Sequence, residues 1–191
     1  MKNKILCFLT AILSASMLLS SCASTRTDFS IDYTPTGIEE FLNVVCKNID
    51  GDYAKVIDPN YDSPAGNSCY VAEIEVKLPN TVAESVQMRF FNSDYSDKVT
   101  YSKVIFYDDD SENAFNCRKA FVVALEKALS GTSYAQDFIG TYYEINSYAY
   151  SLEQDEPSII AEYWLTDDLK VEISCKHSLW NWYLYYEIIK M

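Results

Sequence analysis

Tyr70-Val71-Ala72-Glu73-Ile74-Glu75-Val76-Lys77-Leu78 alternates apolar and charged side chains without a break, with Ala72, Ile74, Val76 and Leu78 on one side and Glu73, Glu75 and Lys77 on the other. Successive side chains of a strand point to opposite faces, so this stretch is a strand with one buried and one wet face, the signature of an antiparallel sheet. Pro79-Asn80 ends it. Two more strand-like runs, Ser85 to Asn92 and Val99 to Tyr107, flank the polar turn Ser93 to Lys98, and the three together predict a meander. Upstream, Thr36-Gly37-Ile38-Glu39 reads as a capping box, followed by Ile38, Phe41, Leu42, Val45, Cys46 and Ile49 at the spacing of one helical face, with a stop at Asp50-Gly51. The segment between, with Pro59 and Pro64, reads as a loop. Downstream, Asp109-Asp110-Ser111-Glu112 opens a second helix whose inward stripe is Ala114, Cys117, Phe121, Leu125 and Ala128, ending near Ser130-Gly131. Four strand candidates follow: Thr141–Tyr150, Ser158–Leu165, Lys170–Cys175 and Trp180–Ile189. The predicted class is α+β, an antiparallel sheet with two helices packed on one face.

The first 22 residues have a different grammar. Lys2 and Lys4 precede an apolar run from Ile5 to Leu19, and Leu19-Ser20-Ser21-Cys22 closes it. This segment resembles the signal of bacterial lipoproteins, whose lipobox is a Leu, two small residues and a Cys. The resemblance covers about an eighth of the chain. It implies cleavage after Ser21, a thioether to diacylglycerol on Cys22, and a further fatty acyl chain such as palmitate on the new amino terminus. It also implies an extracytoplasmic protein of the bacterial cell envelope, held on the cell membrane or the outer membrane. Two or more acyl chains hold a protein on a membrane lastingly where one is marginal. The plainer readings are a secretory signal without lipid, or an uncleaved anchor. The resulting division is a signal peptide over 1–21, a lipidated cysteine with a flexible tether over 22–33, and one globular domain over 34–191.

Removing Lys2 and Lys4 leaves 13 basic against 28 acidic residues, a formal charge of −15 with His177 neutral. Such a field repels phosphate backbones, and no Lys/Arg cluster offsets it, so nucleic acid is excluded as a partner. Cys46, Cys69, Cys117 and Cys175 remain after Cys7 and Cys22 are set aside. Their even number permits two disulfides in an exported protein, with three pairings open, while buried thiols are the simpler alternative.

No catalytic, metal or cofactor signature is present. His177 is the only histidine and falls between two strands. Asp108-Asp109-Asp110 with Glu112 suits a helix start better than a calcium site. Asp58, Asn60 and Asp62 begin like an EF-hand loop, but Ser63 stands where glycine is required and Cys69 where the bidentate glutamate belongs. The five glycines are scattered singly, which argues against a phosphate-binding loop. With 28 acidic residues, carboxylate pairs suited to glycoside hydrolysis are trivial to find and cannot be ranked.

Aromatic density is the remaining unusual feature: 8 tyrosines and 3 tryptophans fall within the 45 residues from Tyr142 to Tyr186. In the last strand Trp180, Trp182, Leu184, Tyr186 and Ile188 share one face. If that face is core, Tyr183 and Tyr185 stand outward with Asn181 and Glu187 as a platform for a protein or glycan. The reading that results is a membrane-anchored, non-enzymatic binding or envelope-support domain; the alternative is a carboxylate-based hydrolase or other envelope enzyme.

Overall fold

A computed structural model describes residues 30–51, 53–62, 69–93, 96–107, 111–133, 138, 158–178 and 181–191, without the side chains of 58–62, 158, 160, 177, 178, 181 and 182. In chain order its elements are helix α1 (Pro35–Lys47), strands β1 (Tyr53–Asp62), β2 (Cys69–Lys77), β3 (Glu84–Phe91) and β4 (Tyr101–Tyr107), helix α2 (Glu112–Ser130), and strands β5 (Ser158–Thr166), β6 (Leu169–Ser178) and β7 (Asn181–Lys190). All seven strands form one open antiparallel sheet in the order β1-β2-β3-β4-β7-β6-β5. Two meanders, β1 to β4 and β5 to β7, are therefore joined edge to edge where β4 pairs with β7. The fold is α+β, as the alternation of residues 70–78 predicts.

The apolar face of each strand follows from its pattern. Ala72, Ile74 and Val76 of β2, Val86, Met88 and Phe90 of β3, Val104 and Phe106 of β4, Leu184, Tyr186 and Ile188 of β7, and Val171 and Ile173 of β6 are all buried on one side. Both helices cover that side. α1 contributes Ile38, Leu42 and Val45, and α2 contributes Cys117, Phe121, Val122, Leu125 and Leu129. Phe106, Phe138 and Tyr186 form an aromatic chain in the middle, with centroid separations of 5.9 and 6.2 Å.

Three local readings are corrected. The cap of α1 is Thr34, whose Oγ1 accepts from Gly37 N at 3.0 Å; Pro35 follows at the first helical position, so Thr36 already lies inside the helix. The helix stops at Lys47, short of Gly51. The proline-bearing segment expected as a loop contains β1, which runs through Pro59; as the edge strand with a bulge between Val56 and Asp58, it tolerates a residue that cannot donate to a ladder. Ahead of α1, Ile31 is buried, its carbonyl accepts from Val99 N at 2.8 Å, and Asp32 is ion-paired with Lys98. α2 is capped by Ser111 and closed by Gly131 at φ 73°, in agreement with the sequence signals. The segments 1–29, 108–110 and 141–150 and residue Trp180 lie outside the described residues, as do the side chains of His177, Asn181 and Trp182.

Candidate functional site: the aromatic face of the sheet

Because Leu184, Tyr186 and Ile188 face the helices, period-two alternation turns Tyr183, Tyr185 and Glu187 to the opposite side of β7. The register then decides their company. Tyr183 pairs with Tyr107, Tyr185 with Ile105, and Glu187 with Lys103; on the far side of β4, Arg89 pairs with Lys103 and Phe91 with Tyr101. The result is an open hollow of about 490 Å³ lined by Arg89, Phe91, Tyr101, Lys103, Ile105, Tyr107, Tyr183 and Tyr185. The rings of Tyr183 and Tyr185 are parallel within 5° at 6.4 Å, Tyr107 meets Tyr183 at 74° and 5.7 Å, and Phe91 leans on Tyr101 at 5.1 Å. Farther out on the same face, β5 carries Ile159 and Trp164, both half exposed.

The charges on this face are ordered across the strands. Glu187 accepts from the Tyr101 hydroxyl and from Lys103 Nζ at 3.1 Å, with Ser174 Oγ at 3.5 Å. Lys103 Nζ also lies 3.6 Å from the centre of the Tyr185 ring, a cation over a π face. On β6, Lys170 bridges Glu162 at 2.8 Å and Glu172 at 2.9 Å. Thus Glu172 and Glu187, neighbours across the β6–β7 pair, are each neutralised by a lysine. Burial, then the adjoining Glu187, pushes the Tyr101 phenol well above the usual range, and burial, then Tyr183, raises that of Tyr185. Both phenols stay protonated donors through neutral pH. Arg89 differs from its neighbours: its Nε donates to Gln87 Oε1 at 3.1 Å, and among the described residues no carboxylate lies within ion-pair distance of it.

Tyr183, Tyr185 and Glu187 lie on the side of β7 opposite Leu184, Tyr186 and Ile188, while Asn181 is placed in β7 by its backbone alone. The structure adds Arg89, Phe91, Tyr101, Lys103 and Tyr107. Their signal was present as the outward positions of two predicted strands, but only the register shows which of them meet. The cysteines contribute nothing here. Cys46 lies on α1, Cys69 at the start of β2, Cys117 on α2 and Cys175 on β6, and no disulfide joins them. Among the described residues, no group of three or more His, Cys, Asp or Glu is arranged to hold a metal ion. No described helix is long and apolar enough to cross a membrane. Cys22 lies outside the described residues. No protein-family model, curated protein or solved structure matches this chain.

Proposed function

We propose that the chain is a lipid-anchored, extracytoplasmic binding protein whose recognition surface is the aromatic face of the sheet. The observation that carries this reading is the position of the rings. Phe91, Tyr101, Tyr107, Tyr183 and Tyr185 gather on the side of the sheet away from both described helices, where core formation does not require them. Tyrosine supplies a large rigid contact area and a polar tip at low entropic cost, which suits a surface that must be wet when free and dry when bound. The ion pairs of Lys103 and Lys170 fix the surrounding side chains before a ligand arrives, which lowers the ordering cost of binding. The anchor would set where this happens. Residues 22–30 span at most about 30 Å when extended, so the domain would work close to the membrane.

Two measurements test the two halves. Mass spectrometry of the full chain expressed in a bacterium is expected to show a diacylglyceryl adduct on Cys22 and loss of residues 1–21, with Cys22→Ser remaining unmodified and leaving the membrane fraction. For recognition, a positional-scanning hexapeptide library and a glycan array are probed with the detergent-solubilised full chain. Tyr183→Ala and Tyr185→Ala are expected to weaken whatever binds by tenfold or more, and binding indifferent to both changes would place recognition elsewhere.

A further inference from the structure

We infer that the aromatic hollow receives a carboxylate-bearing peptide, with Arg89 as the anchor for the carboxylate; this rests on the proposal that the face is a recognition surface. The chain has 28 acidic and 15 basic residues, and on this face Lys103 and Lys170 each have a carboxylate within ion-pair distance. Arg89, half-buried and paired across the strands with Lys103, has Gln87 alone as its hydrogen-bond acceptor, through Nε, and the remaining donors of its guanidinium fork have no acceptor among the described residues. A planar fork of that kind matches a carboxylate with two parallel hydrogen bonds. The hydroxyls of Tyr183 and Tyr185 likewise have no hydrogen-bond partner among the described residues and line the same hollow. Donors are in excess and acceptors are occupied, since Glu187 already takes Tyr101, Lys103 and Ser174. The complement of such a surface is an acceptor carrying negative charge.

The arrangement of the rings favours a peptide over an acidic sugar. A pyranose needs an open ring face to lie on. Here Tyr185 has Tyr183 parallel to it at 6.4 Å and the Lys103 ammonium 3.6 Å from its centre, while Tyr107 packs against Tyr183. With those neighbours crowding both rings, a partner meets ring edges and hydroxyls, and apolar side chains flanking an acidic residue fit them as they do at the aromatic and arginine-rich centres of protein interfaces.

The test uses the full chain in detergent, a positional-scanning hexapeptide library, and polygalacturonate as the acidic glycan. The expected result is selection of Asp or Glu next to an apolar residue. Replacing that acid by its amide should weaken binding at least tenfold, and Arg89→Gln, checked for native circular dichroism, should abolish the difference between acid and amide. Preference for neutral peptides, binding of polygalacturonate instead of peptides, or an acid preference that survives Arg89→Gln overturns the inference. If a neutral ligand binds and Tyr183→Ala removes it, the recognition face stands and the carboxylate assignment falls. If nothing binds the wild-type chain, both fall.

Discussion

Glu126 has no exposed surface, yet it lies on α2 amid the core. Its Oε1 accepts from the Tyr163 hydroxyl at 2.5 Å and the Tyr186 hydroxyl at 2.7 Å, and its Oε2 from Ser133 Oγ at 2.9 Å. Burial of a polar group is tolerated when its bonds are satisfied, and here one carboxyl group satisfies three hydroxyls from α2's own exit and from β5 and β7. Glu126→Leu would take this acceptor from all three, while the Tyr163 and Tyr186 hydroxyls keep their mutual contact at 3.2 Å. The expected loss is about 3 kcal/mol or more, measured by urea denaturation, whereas Tyr186→Phe removes one donor and is expected to cost about 1–3 kcal/mol. A Glu126→Leu variant of unchanged stability would show that these hydroxyls find water. Ser102 presents the reverse case. Its hydroxyl is buried on the core face of β4 and makes no hydrogen bond among the described residues, so Ser102→Ala is expected to raise stability by about 1 kcal/mol. Neither residue was legible in the sequence. An acidic residue beside Leu125 at the margin of a helical stripe reads as solvated, and only the closure of β7 against α2 brings Tyr186 within reach of it.

At the scale of elements, the strongest patterns translated directly and the weak ones failed for local reasons. Residues 70–78, 85–92 and 112–130 were legible because period and boundary signals agreed: the alternation ends at a proline, and the helix opens on Ser111 and closes on Gly131. β1 was not, because an edge strand with a bulge buries little, and Pro59 removes the alternation that would have marked it. The start of α1 was misplaced by two residues since two threonines compete for the cap, and the Pro35 signal decides between them. This difference is measurable. Thr34→Ala is expected to lower stability by about 1 kcal/mol while Thr36→Ala changes it little, and equal effects would restore the capping-box reading. Gly37 supplies a second check on the same turn. An alanine in a helix is ordinarily worth about 1 kcal/mol over glycine, but a Cβ at Gly37 would lie 2.7 Å from the Cβ and carbonyl oxygen of Asp32. Gly37→Ala is therefore expected to destabilise, because the chain entering α1 is held by the Asp32–Lys98 pair and cannot give way without breaking it. Of the recognition face, the β7 tyrosines could be read from alternation, whereas Arg89, Phe91 and Tyr101 could not, since they join it through pairings between strands far apart in sequence.

Across the whole molecule, a sheet closed on one side by helices leaves titratable groups in two kinds of setting, and those held in the folded chain have a common bias. Burial raises the thiols of Cys46 and Cys117, raises that of Cys175 from 9.0 to about 11, and raises the phenols of Tyr101, Tyr185 and Tyr186. In each case the folded chain binds the proton more tightly than the unfolded chain does. The stability these groups contribute is fully present below their ordinary values and is lost as pH rises towards the folded ones. For Cys175 the window runs from about 9 to about 11. The excess of acidic residues acts in the same direction, because every proton lost adds to a formal charge that is already −13 for the full sequence. The urea midpoint is therefore expected to be steady from pH 7 to about 8.5 and to fall progressively above it. Cys175→Ala separates the two contributions. Cys175 lies on the core face of β6 opposite Leu184, so removing its thiol should lower the midpoint slightly at pH 7 while flattening the decline between pH 9 and 11. A decline of the same steepness in Cys175→Ala would assign the alkaline sensitivity to the buried phenols and the overall charge. A midpoint in the wild type that stays level to pH 11 would mean that these groups meet water in the folded state as freely as in the unfolded one.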